Sequence, residues 1–261
     1  MPTPEASPPA REEGSLKNRR PASIGPRPPR LSGHPTGPPQ ARPVMPTEAR
    51  LLRLLTWLSP AVPGGSSGPA RDLEAAIRAA EVRDAENLSA WIGIVLERGA
   101  WNDAVLFKAA WIAATAEDAT ALDDISDLAA ALAPDAERRR EMLSQGKAFL
   151  EAVSAWSPPP LAEAAYPVAL GATAGAAGVP LEPALTAWLH AFASHLVDVA
   201  ARSLPLDRSD AVSVIAGLEP VLLRLVARAA ASALDDLDRE PTRAGVVRSH
   251  PEAPDGRLFI G

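Results

Sequence analysis

The stretch 166–206, YPVALGATAGAAGVPLEPALTAWLHAFASHLVDVAARSLPL, is long, apolar and almost free of charge, with Glu182, Asp198 and Arg202 as its only formal charges. A run of this kind is soluble only when most of its surface is covered, so the rest of the chain has to wrap it. Its first half is built of small residues, and Gly171 and Gly175 stand in a Gly-x-x-x-Gly spacing that lets two helix backbones approach closely. Pro180 restarts the chain. From Leu181 onward the apolar residues Leu185, Trp188, Leu189, Phe192, Leu196 and Val199 recur at three- and four-residue steps, the helical period rather than the strand period. The pattern predicts a buried helix hairpin at the centre of a helical bundle.

The flanking segments read the same way. Thr47 and Glu48 open a first helix through Leu51, Leu52, Leu54, Leu55 and Leu58, stopped by Ser59-Pro60. The stretch 59–69, SPAVPGGSSGP, holds three prolines and three glycines and reads as an irregular loop, either flexible or functional. Helical periods follow over roughly 70–80, 84–98, 101–115, 118–132 and 135–156. Pro158-Pro159-Pro160 separates these from the central stretch, after which a last helix begins near Ser209. Gly217-Leu218-Glu219-Pro220 is a candidate break within it.

Both ends differ in composition from the middle. Residues 1–44 hold 12 of the 28 prolines, with Ser, Gly and Arg and no apolar period, and are predicted to be a disordered Pro/Arg-rich tail. Two readings stay open there, a genuine tail or a start at Met45, where the helical period begins at once. Residues 239–261 are polar and proline-punctuated. The expectation is therefore an all-α single helical-bundle domain of about ten helices over 45–240, flanked by segments 1–44 and 241–261.

Composition narrows the function. With no cysteine in 261 residues, disulfides, thiolate metal sites and a cysteine nucleophile are excluded. The first 45 residues carry seven basic against three acidic side chains, leaving 19 basic and 29 acidic residues in the remainder, a body that repels nucleic acid and anionic lipid. No apolar run of signal-peptide type opens the chain, and the uncharged run 164–181 is too weakly hydrophobic to span a bilayer. A cytoplasmic protein without nucleic-acid or membrane partners is expected. Nucleotide-binding GxxxxGK[ST] and GxGxxG loops and the GxSxG elbow are all missing, so no catalytic site and no cofactor is expected.

Two polar constellations remain. Asp123-Asp124-Ile125-Ser126-Asp127 matches the DDxxD pattern with which all-α isoprenoid synthases hold Mg²⁺ and a diphosphate, and defines an enzyme alternative through Asp123, Asp124 and Asp127. The bland reading, a solvated acidic face, suits the charge of the chain better. His190 and His195 are about 140° apart around a helix and cannot chelate one ion together. His195, Asp198 and Arg202 share a helix face and read as a structural polar seam at a helix or subunit contact.

Taken collinearly, LLRLLTWLSPAVPGG at 51–65, QGKAFL at 145–150 and the central stretch resemble the urease accessory protein UreF family. The resemblance continues through 215–220 to Arg257-Leu258-Phe259. It implies an all-α homodimer that binds UreD, also called UreH, recruits the GTPase UreG, and so acts as a scaffold for nickel delivery to apo-urease, with 241–261 as a partner-binding tail. A third possibility is a diverged interaction module of this family without a urease role.

The departures from the family pattern are localised. The loop usually running SPAFPVGAFSYSHGLE is SPAVPGGSSGPARDLE at 59–74, which keeps Pro60, Pro63, Gly65, Leu73 and Glu74. PLGQT becomes PLDRS at 205–209, after Arg202, and RHETQYSRLFRS survives only as Glu252, Arg257, Leu258 and Phe259. These retained residues are the partner-interface candidates. The drift fits either partners that changed together with this chain or a copy relaxed from function. A charge-poor central stretch favours the former.

Overall fold

The computed structural model describes residues 47–64 and 67–238, all within the compact unit Pro43–Gly261. Among these, nine α-helices and no strand are present: α1 (Thr47–Trp57), α2 (Ser67–Arg78), α3 (Ala85–Ile94), α4 (Trp101–Thr115), α5 (Ala119–Ala131), α6 (Ala136–Val153), α7 (Tyr166–Ala176), α8 (Leu181–Ala201) and α9 (Arg208–Ala231). A π turn, Val95–Gly99, joins α3 to α4, and a 3-10 turn, Leu234–Asp236, follows α9. The all-α fold expected from the periodicity is the fold found.

At the centre lies α7, buried from Tyr166 through Gly175. Its main neighbour is α4, and the two meet backbone to backbone. A Cβ built on Gly171 would lie 2.2 Å from the carbonyl oxygen of Phe107, and one on Gly175 would lie 2.5 Å from that of Trp111. Both pairs are four residues apart, so the contact repeats on successive turns of both helices. The buried Thr173 hydroxyl of α7 donates to Ala169 O at 2.8 Å and needs no partner from outside its own helix.

Because backbone fills the α4–α7 contact, the large side chains of α4 are free to serve other neighbours. Phe107 stacks on Trp188 of α8, centroids 5.3 Å apart. Trp111 Nε1 donates to Val179 O at 2.8 Å and holds the α7–α8 turn. That turn closes with Val179 N–H on Ala174 O and Gly178 N–H on Gly175 O, and Gly178 takes the left-handed φ of 67° that this arrangement requires.

The expected hairpin is not what forms. Helix α7 pairs chiefly with α4 and α6, and α8 with α9 and α2, because the small-residue face of α7 fits a backbone whereas α8 offers Leu, Trp and Phe side chains to its neighbours. A second correction concerns α9, which runs unbroken through Gly217 and Pro220. Pro220 and Ala216 both lie on the exposed side, so the carbonyl that proline leaves without an N–H partner faces water. The buried face Val214, Leu218, Leu222, Leu225 and Val226 stays in phase across it. A third concerns 59–69: Ser67, Gly68 and Pro69 are already helical, since proline in a first turn has no N–H to waste.

The segment QGKAFL also becomes intelligible. Gly146 lies under the turn before α7, where a Cβ would meet Ala164 O at 1.9 Å, and Phe149 packs edge-on against Tyr166 at 5.4 Å. Gly171→Ala should lower stability by about 2–3 kcal/mol, because the obstacle is a carbonyl in a neighbouring backbone rather than a movable side chain. Gly93→Ala, with nothing within 4 Å of its Cβ, should leave stability unchanged or raise it by up to about 1 kcal/mol. Urea midpoints of the two variants measure the contrast.

Candidate partner-binding surface

Helix α1 buries Leu54 and Trp57 and leaves Leu51, Leu52 and Leu55 exposed by 56%, 65% and 61%. Three large apolar side chains within one turn form an uncovered strip, the kind of surface that meets another protein. Leucines occur on all sides of α1, and a single helix lying on a bundle buries only one of them. The leucine pattern locates the helix without saying which of its leucines are covered. A run with leucines at 51, 52, 54, 55 and 58 was the available signal that some would remain outside.

The strip leads into the irregular loop, where Pro60 and Pro63 are exposed. Gly65 lies outside the described residues. Leu73 is fully buried in α2, so it packs the bundle and is removed from the set of partner-facing residues, while Glu74 beside it is exposed. The loop re-enters the fold through a polar clamp between α2 and α6. Arg71 makes two hydrogen bonds to Glu141, both 2.8 Å, and Arg138 donates to the same carboxylate at 2.9 Å. Gln145 donates to Ser67 Oγ at 2.7 Å. The Arg71 hydrogen bonds, helped by Arg138, hold the Glu141 carboxyl below the usual range and keep it ionised. Arg71 stands where the family pattern has His, so that departure has a structural occupation.

The replacement at 205–209 has one too. Asp207 accepts from Asp210 N at 2.8 Å while Asp210 accepts from Asp207 N at 3.1 Å, a reciprocal cap that starts α9. Arg202 ends α8 and is exposed. His195, Asp198 and Arg202 lie together on the solvent side of α8, with no hydrogen bond or ion pair joining them among the described residues. Glu252, Arg257, Leu258 and Phe259 fall outside the described residues.

Asp123, Asp124 and Asp127 are exposed on α5, and none of them lines the cavity described below. Among the described residues no three His, Asp or Glu side chains are grouped to hold a metal ion, and no helix is long and apolar enough to cross a membrane.

One cavity of about 520 Å³ opens between α2, α4 and α6, with Leu106, Met142 and Phe192 in its apolar part and Asp103 on its wall. Burial pushes the Asp103 carboxyl up to about 6, against the pull of Arg138. Beside it the first turn of α4 grips the end of α9. Trp101 Nε1 donates to Asp236 O at 2.8 Å and Arg228 lies over the Trp101 ring at 3.6 Å. Asn102 exchanges two hydrogen bonds with the backbone of Asp238, and Lys108 donates to Ser232 O.

Among the described residues the interior is charge-poor and the polar groups form clamps and caps, an all-α helical bundle. The chain belongs to the UreF family, whose model matches residues 82–219. It is 42% identical over 219 residues to the urease accessory protein UreF of Mesorhizobium japonicum, covering 82% of this chain and 97% of that protein. The urease accessory protein UreF of Agrobacterium fabrum is likewise 42% identical, over 81% of this chain and 96% of its own.

The Asp103 carboxyl loses its proton less readily in the fold than in the unfolded chain. The folded state therefore holds more protons between about pH 4 and 6, and the Asp103 contribution to stability falls as pH rises through that window. Asp103→Asn should flatten this dependence and raise stability at pH 7 by about 1 kcal/mol, the partly open cavity screening the full effect. Urea unfolding of both proteins at pH 4.5 and 7 provides the comparison.

Proposed function

We propose that this chain is a non-catalytic scaffold in urease maturation. In this reading it binds UreD, or UreH, recruits the GTPase UreG, modulates its GTPase activity, and so assists nickel insertion into apo-urease in the cytoplasm as a homodimer. The observation that carries the reading is 42% identity, over more than four-fifths of the chain, to proteins named urease accessory protein UreF. Supporting it, the uncovered leucines of α1 and the exposed Pro60 and Pro63 supply an apolar surface on which a protein partner can pack. On this reading residues 45–240 are the UreF-like domain and 241–261 its partner-binding tail, with Glu252, Arg257, Leu258 and Phe259 as contacts. Glu74 and Arg202 join them from the folded surface.

Co-expression with UreD and UreG from the same source, followed by size-exclusion chromatography, tests the assembly. A ternary complex is expected, and three separate peaks would overturn the proposal. Arg257→Glu should weaken UreD binding about tenfold or more, and Leu51→Asp with Leu55→Asp should do the same from the other end of the chain without altering the helical circular dichroism signal.

A further inference from the structure

We propose that residues 239–248 of this chain dock into the cavity between α2, α4 and α6 of the same molecule. The argument begins with how the chain is delivered there. Four groups of α4 and α9, Trp101, Asn102, Lys108 and Arg228, fix the backbone from Ser232 to Asp238 along the start of α4. Asn102 and Asp238 both line the cavity, so the last pinned residue is already on its rim. The next ten residues, REPTRAGVVR, extend to about 35 Å at most and have only to turn inward to fill it.

Charge and polarity match. The cavity wall carries five carboxylates against three guanidiniums, and two of those guanidiniums, Arg71 and Arg138, are already paired with Glu141. Segment 239–248 offers Arg239, Arg243 and Arg248 against the single carboxylate of Glu240. Between the last two arginines, Val246-Val247 supplies the apolar pair that the Leu106, Met142 and Phe192 surface is suited to cover. Docking of 239–248 in cis leaves the part of the tail beyond residue 248, with Glu252, Arg257, Leu258 and Phe259, for the partner in the reading proposed above.

The absence of cysteine makes the test direct. Ala133→Cys on the cavity wall and Ala244→Cys in the segment, spin-labelled in the full chain, report their separation by pulsed dipolar spectroscopy. A single narrow distance is expected, unaffected by dilution with unlabelled protein and lost in the Arg243→Glu, Arg248→Glu background. Both charge reversals lie outside α1–α9, so a loss reports undocking rather than unfolding. A broad distribution in the parent protein overturns the proposal, as does a narrow one that disappears on dilution or survives the charge reversals.

Discussion

The bundle depends on two helix backbones touching. Where Gly171 and Gly175 meet the carbonyls of Phe107 and Trp111, α4 and α7 come closer than any side chain would permit. The consequences spread outward from α4. Its aromatic side chains, not needed against α7, reach α8 and the α7–α8 turn, while its first turn reaches the residues after α9. One glycine-lined seam thus fixes the neighbours of most of the fold.

How much of this was legible in the sequence depended on the kind of contact. Periodicity located α7 and α8, and the Gly-x-x-x-Gly spacing announced a close backbone approach. What no periodicity encodes is which helix comes close, and adjacency along the chain suggested α8 when the partner is α4, some 60 residues upstream. Pro220 is instructive in the same way. A proline signals a missing hydrogen bond, but whether that loss ends a helix depends on whether the orphaned carbonyl faces water, and this follows from packing alone. The leucines of α1 located a helix but not its covered face, because hydrophobicity says that a residue can be buried, not that a neighbour exists to bury it.

The partner-interface candidates came from likeness to a family, and the described ones among them occupy different places in the structure. Leu73 belongs to the core, Pro60, Pro63, Glu74 and Arg202 lie on the surface, and two of the departures from the family pattern have local duties. Arg71 ties α2 to α6 and Asp207 starts α9. These are substitutions absorbed by the fold, each with a well-made set of hydrogen bonds, and they are not what unconstrained drift leaves behind. They favour a chain whose contacts have been rebuilt over one that has been released from them.

Helix α1 carries a further consequence. Its principal attachment is to α8, made by Leu54 and Trp57, with Leu58 just beyond its end packed on the core and Trp57 edge-on to Trp156. A helix so lightly fastened opens at a free energy well below that of global unfolding, while the α4–α7 seam stays shut. The protein therefore contains two levels of stability within one bundle. A partner that takes hold of α1 can lever or reposition it at small cost, and the scaffold behind it does not have to loosen to let that happen.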